Sequence, residues 1–178
     1  MSAAIVGLLA LKLYPSSLVK SIKPKEPNPT PQATTAQLKA QIAAKTPEKE
    51  IYLPTEIKIP AANLDLEVAP GVITDNKWTL YDDKVSWLTT SETLENGNVI
   101  IYGHNRIHLF GGLTKLKIGD EIIVKSDQKN FIFEVAQMRN VTPEDVDAII
   151  SDKQQLTLYT CDGSFDEKRL VIISYPKT

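Results

Sequence analysis

Cys161 is the only cysteine in the chain, and it closes a short run of β-branched and aromatic residues, Leu156-Thr157-Leu158-Tyr159-Thr160. Eight positions on, Arg169 opens a second apolar run, Leu170-Val171-Ile172-Ile173. Phe165 apart, the residues between are polar or glycine. Two such runs with a loop of that length predict a hairpin. It would set a thiol at the end of one strand and a guanidinium at the start of its neighbour. Cross-strand neighbours lie about 5 Å apart, so side chains of this length can share one pocket. A free thiol is mostly protonated at neutral pH, so thiol chemistry needs a third group. The chain offers two histidines, His104 and His108. His104 follows Asn98-Val99-Ile100-Ile101-Tyr102-Gly103, a strand that stops at its glycine and delivers the imidazole at its exit. His108 precedes Leu109-Phe110-Gly111-Gly112 and reads as a loop residue rather than as the base.

The elements that must position these groups are short strands. Apolar segments recur at residues 56–60, 64–68, 98–102, 120–124, 131–135, 156–160 and 170–174, with turn signals between them. Several alternate apolar with polar, the period of a half-buried strand. Many short strands punctuated by Gly or Pro predict an all-β barrel or sandwich. The helical exceptions are brief. Thr142-Pro143-Glu144-Asp145 reads as a capping sequence with proline at the first helical position, leading into residues 146–150. Residues 109–116 read as one further turn of helix.

At 178 residues the chain suffices for one core and little more. Its 42% hydrophobic and 24% charged residues are ordinary for a globular domain. A net charge of −2 gives no footprint for nucleic acid, which calls for a clustered basic face. One Cys and two His fall short of the four ligands of a structural zinc site, and one Cys excludes an intramolecular disulfide. No metal and no cofactor is expected.

The folded domain is expected over residues 51–178. Before it, residues 16–50 carry Pro24, Pro27, Pro29 and Pro31, which favour an extended, solvated spacer. A helix is expected over residues 33–45, capped by Thr34 or Thr35 and stopped by Pro47. Leu38 and Ile42 are its only larger apolar residues, so it would pack weakly. Residues 1–15 include the apolar stretch 3–11, which Lys12 interrupts. A bilayer-crossing helix needs about 20 apolar residues, and no basic segment precedes this one as in a signal peptide. Two readings follow: the trimmed end of a membrane anchor, or a short peripheral or disordered tail.

Thr157-Leu158-Tyr159-Thr160-Cys161 resembles the TLxTC signature of sortases. Gly103-His104-Asn105 is similar to their histidine motif, and Arg169 stands where their arginine belongs. The resemblance covers roughly residues 51–176, with the motifs in the family's order. It implies an eight-stranded β-barrel with His104, Cys161 and Arg169 as catalytic residues. It also implies a substrate protein bearing an LPxTG-like C-terminal sorting signal. The upstream half would be held as a thioacyl-enzyme and passed to an amine, that of a peptidoglycan precursor or of a pilin lysine. The segment after strand 131–139 resembles the family's substrate-binding loop. There Val146, Ala148 and Ile149 match its apolar contacts, and Thr160 matches the residue before the cysteine. Core packing is the other reading of the apolar three. Calcium-activated members carry a glutamate soon after this stretch where this chain has Ser151, so calcium dependence is not implied. The short spacing from Cys161 to Arg169 leaves the subclass open. Family habit also favours the membrane anchor over the tail, with the catalytic domain outside the cell.

In that chemistry a thiolate attacks, so His104 either takes the thiol proton or already stands charged beside the thiolate. The residues leave both open. Arg169 would meet the negative charge that develops on the carbonyl oxygen. Asp82, Asp83, Glu92 and Glu95 read as solvated loop carboxylates, and none is marked as a partner for His104. Each group also has a plain structural reading: a buried thiol, a strand-capping histidine, a strand-edge charge. At the level of function the alternatives are a thiol peptidase that releases its acyl group to water, and a non-catalytic barrel serving as a cell-surface binding module.

Overall fold

Alternation sets the inner face of the first two strands. In β1 (Glu56–Ile59), Ile57 and Ile59 are buried between half-exposed neighbours. In β2 (Leu64–Gly71), Leu64, Leu66 and Val68 point inward while Asp65 and Glu67 face solvent. Side chains along a strand point to opposite faces in turn, and each large aliphatic group taken out of water contributes roughly 1.5–3 kcal/mol. The computed structural model describes residues 50–163 and 167–178. The apolar segment over residues 1–15, the proline spacer and the helix expected over residues 33–45 lie outside the described residues, as do Ser164, Phe165 and Asp166.

Six further strands join the same sheet: β5 (Val85–Leu88), β6 (Asn98–Gly103), β7 (Glu121–Lys125), β8 (Asn130–Val141), β9 (Gln155–Asp162) and β10 (Lys168–Pro176). Two-residue strands β3 (Ile73–Thr74) and β4 (Lys77–Trp78) pair only with each other. The eight others form a closed barrel in the order β1-β2-β5-β6-β9-β10-β8-β7, with β7 returning to β1. The protein is thus mainly β, the eight-stranded barrel expected. Neighbours run antiparallel except for β2 with β5 and β6 with β9.

Strands β6, β9 and β10 abandon alternation because both of their faces are covered. Val99, Ile101, Leu156, Leu158, Leu170 and Ile172 fill the barrel interior. On the opposite face Ile100, Tyr102, Val171 and Ile173 pack with Leu88, Ala148 and Ile149 in a second apolar cluster, and Trp78 and Tyr159 lie against it. Buried on both sides, such strands read as continuous apolar runs. This doubly covered wall carries the candidate site.

The structure departs from the sequence reading in three places. Strand β5, Val-Ser-Trp-Leu, is only four residues long and wholly buried, so it shows no alternation to read. The β3–β4 hairpin was likewise not expected; Asp75 and Asn76 form its turn at φ 50° and 60°. Both central residues at positive φ give the turn whose twist suits a two-residue hairpin loop. The helix expected after a Thr142 cap is one 3₁₀ turn, Val146–Ile149, whose capping position is Asp145 and which has no side-chain cap. Strand β8 continues to Val141 and β9 begins at Gln155, and the Asp145 N–H bonds to the Thr142 carbonyl in a tight turn of its own. Little chain is left there for a longer helix. The turn expected over residues 109–116 is present as a 3₁₀ segment, Phe110–Lys115.

Candidate active site

The register of three strands brings the chemistry-bearing residues together. Strands β9 and β10 pair antiparallel with Arg169 directly opposite Cys161. On the other side of β9, parallel β6 places Gly103 opposite Thr160, so His104 leaves β6 level with Cys161. The thiol therefore stands between an imidazole from one neighbouring strand and a guanidinium from the other. All three line one cavity of about 350 Å³, and each is half-buried.

Gly103 lets the end of β6 approach Val85 of β5 closely. A Cβ there would lie 2.8 Å from Val85 Cγ1, closer than side chains tolerate. The Thr160 hydroxyl donates to the Gly103 carbonyl at 2.8 Å and ties β9 to β6 one residue from both His104 and Cys161. Beyond Gly103 the chain is held at several points. The Phe110 N–H donates to the His104 carbonyl at 3.1 Å. Arg106 Nη1 pairs with Asp82 Oδ1 at 2.6 Å, and His108 Nε2 lies 3.0 Å from the Asp82 carbonyl oxygen. His108 is thus an exposed loop residue, as expected. Asp82 is exposed but paired, and so is Glu95, which pairs with Lys129.

Of the four residues matched to substrate contact, two line the thiol cavity, Val146 and Thr160. Val146 is 52% exposed and stands at its mouth. Ile149 lines a second cavity of about 410 Å³, to which Val146 also contributes. Ala148 lines neither. It is buried in the second apolar cluster, and its carbonyl accepts from Arg139 Nη2 at 2.7 Å. The Ile149 carbonyl accepts from Asn98 Nδ2 at 2.7 Å, which pins the 3₁₀ turn to the start of β6.

Aromatic residues complete the thiol cavity. Burial pushes the Tyr159 phenol's pKa up, while the Arg169 guanidinium beside it pulls the other way. Burial likewise pushes up the Tyr102 phenol, against a smaller opposing effect of the Ser86 hydroxyl. Trp78 stacks on Tyr159, ring centroids 5.3 Å apart and planes 19° from parallel, and meets Tyr102 edge-on at 4.7 Å and 84°. With Asn76 and Leu80, Trp78 brings the residues around β4 into the cavity wall. Sequence reasoning missed this segment. Its signal was the Asp75-Asn76 turn pair, too short a feature to predict which way Trp78 would point.

A family model described as the Sortase domain matches residues 57–177. YwpE of Bacillus subtilis (strain 168), a curated protein assigned to the sortases, is 30% identical over 86 residues, which are 46% of this chain and 84% of that protein. Sortase C1 from Streptococcus agalactiae superposes with a TM-score of 0.61 at 24% identity, covering 83% of this chain and 78% of that one. Sortase A of Listeria monocytogenes gives a TM-score of 0.61 at 23% identity, over 72% of this chain and 89% of its own. At such identities the structural likeness speaks for the fold alone.

Proposed function

The chain belongs to the sortase family, and from that premise we propose that it is a cysteine transpeptidase. Its substrate would be a protein with an LPxTG-like C-terminal sorting signal, and its acceptor an amine of a peptidoglycan precursor or a pilin lysine. The observation that carries the reading is the register. Arg169 of β10 faces Cys161 of β9 across the strand pair, and His104 exits β6 beside it, so three groups of complementary chemistry line one cavity.

In the proposed reaction the Cys161 thiolate attacks the scissile carbonyl and forms a C–S bond. Negative charge passes to the carbonyl oxygen, where Arg169 offers a fork of donors and a fixed charge. Collapse breaks the C–N bond. The leaving amine takes a proton from His104, which held it from the outset or received it from the thiol. The thioacyl group stays on Cys161. An incoming amine then attacks the same carbon and loses a proton to His104, and the thiolate departs. Each step uses the same imidazole as proton carrier and the same guanidinium as oxyanion partner.

Residues 51–178 make up the proposed catalytic domain, acting outside the cell, with residues 1–15 as the proposed tether to the membrane. Among the described residues no helix is long and apolar enough to cross a membrane.

Turnover of a sorting-signal peptide should show ping-pong kinetics, with an acyl adduct on Cys161 by mass spectrometry that shrinks as amine is added. Cys161→Ala should lose the adduct and the turnover while keeping the fold, because little volume is removed from a half-buried position. Turnover indifferent to amine across peptidoglycan-like and lysine acceptors would replace transfer by hydrolysis. Turnover by Cys161→Ala would end the thiol mechanism altogether.

A further inference from the structure

Among the described residues, Trp78 and Val146 are the two that the thiol cavity and the second cavity share. They approach from different elements, Trp78 from the β3–β4 hairpin and Val146 from the 3₁₀ turn after β8. The floor beneath Trp78 is packed on two strands of the barrel: one ring face rests on Tyr159 of β9, and an edge contact meets Tyr102 of β6. Its hairpin is no part of the barrel sheet. It is held at its base, where the Thr79 N–H donates to the Val72 carbonyl at 2.9 Å and the Tyr81 hydroxyl to the Pro70 carbonyl at 2.9 Å.

We propose that Trp78 is the specificity-determining residue on the acyl side of the reaction, its indole closing the thiol cavity against the second cavity and so excluding bulky aromatic side chains. A carbonyl poised for attack lies about 3–3.5 Å from the sulfur. The side chains just upstream of it must then fit between Cys161 and the wall that Trp78 ends. An aliphatic side chain packs on the indole face and the exposed edges of Leu80 and Val146. A large ring meets the indole instead, which cannot retreat because Tyr159 lies flat beneath it. Removing the indole joins cavities of about 350 and 410 Å³ and opens a path for the ring. Steric selection in an apolar pocket works at about 10–200-fold per methylene-sized misfit, and a ring against a ring belongs at the upper part of that scale.

The inference rests on the proposed thiol chemistry only for its peptide arm, so the test has two arms. In the first, Cys161 is alkylated with iodoacetamide and with its N-benzyl derivative, and the ratio of the two rate constants is read. A ratio cancels any change in the fraction of thiolate. In the second, peptides carrying Leu or Phe at the residues upstream of the scissile bond are compared by kcat/KM. Trp78→Ala should raise the bulky-to-small ratio at least about tenfold in both arms, and Trp78→Phe should raise it less. If Trp78→Ala does not fold, Trp78→Leu and Val146→Ala read the same ratio from the two sides of the wall. A ratio that stays at its wild-type value in the folded variants overturns the proposal, as does a wild-type protein that already takes both reagents equally. A ratio that moves in the alkylation arm, in a protein that never acylates on any sorting peptide, sinks the transpeptidase reading and with it the acyl specificity, and leaves Trp78 only as the steric wall of the thiol cavity.

Discussion

Arg169 and Cys161 are cross-strand partners, and their worth to catalysis depends on shape as much as on charge. Arg169→Lys keeps the charge and loses the planar fork that contacts two acceptors at once. Its kcat should fall by about 10²–10³ while KM moves little, because the lost interaction belongs to the oxyanion rather than to the bound peptide. Steady-state kinetics on one peptide reads both, and a near wild-type kcat would reduce Arg169 to a diffuse field. These residues were legible in the sequence because each stands beside a local signal: a cysteine ending an apolar run, a glycine before a histidine, an arginine opening a strand. Trp78 and Tyr102 were not. Their parts in the cavity come from contacts with each other and with Tyr159, far along the chain, and the identity of an aromatic residue says nothing of what it stacks on.

At the scale of elements, the loop from His104 to Leu109 is strapped to the segment before β5 through one residue. Asp82 pairs with Arg106 by its carboxylate and meets His108 by its backbone carbonyl. Asp82→Asn leaves the carbonyl in place and removes the charge, so it isolates the ion pair. The pair is exposed, with Asp82 84% accessible, and exposed pairs contribute about 0–1 kcal/mol. The expected fall in kcat is therefore no more than about fivefold. It should shrink further as salt screens the wild-type pair, a dependence that general misfolding would not show. Measurement at low and high ionic strength checks both. Elements were legible to the same degree as their periodicity. Alternation marked β1 and β2, and long apolar runs marked β6, β9 and β10. β5, four residues with no exposed face, carried neither mark, and so the eighth strand of the barrel could be counted by resemblance but not located. The Thr142-Pro143 cap signal was real as a turn former. It misled about length, because β8 had already used the preceding chain.

For the molecule as a whole, the doubly covered wall ties stability to alkaline pH. Tyr102 is fully inside the second apolar cluster, only 2% exposed, and burial raises its pKa above the ordinary tyrosine value of about 10. As pH passes that value the unfolded chain loses the phenolic proton first, while the folded chain keeps it. The unfolded state then binds fewer protons, so stability falls with rising pH. The contribution is whole below about pH 10 and is lost as pH climbs toward the raised folded value. Tyr159 adds to the same slope, since its pKa is also raised by burial. Lys58, Lys84 and Lys177 act in the same direction, held up chiefly by hydrogen bonds to Asp65, Glu67 and Glu121, but these pairs lie at the surface, with Lys177 exposed and Lys58 and Lys84 half-buried. Salt screens those surface pairs and leaves the buried phenol untouched. Denaturant melts from pH 8 to 11 should therefore show a decline that high salt only partly flattens. In Tyr102→Phe, which keeps the ring against Trp78, the salt-resistant part should shrink to what Tyr159 alone supplies. An unchanged salt-resistant slope in that variant would mean that the Tyr102 hydroxyl ionises as readily in the barrel as in water, and that the outer cluster is wetter than its packing implies.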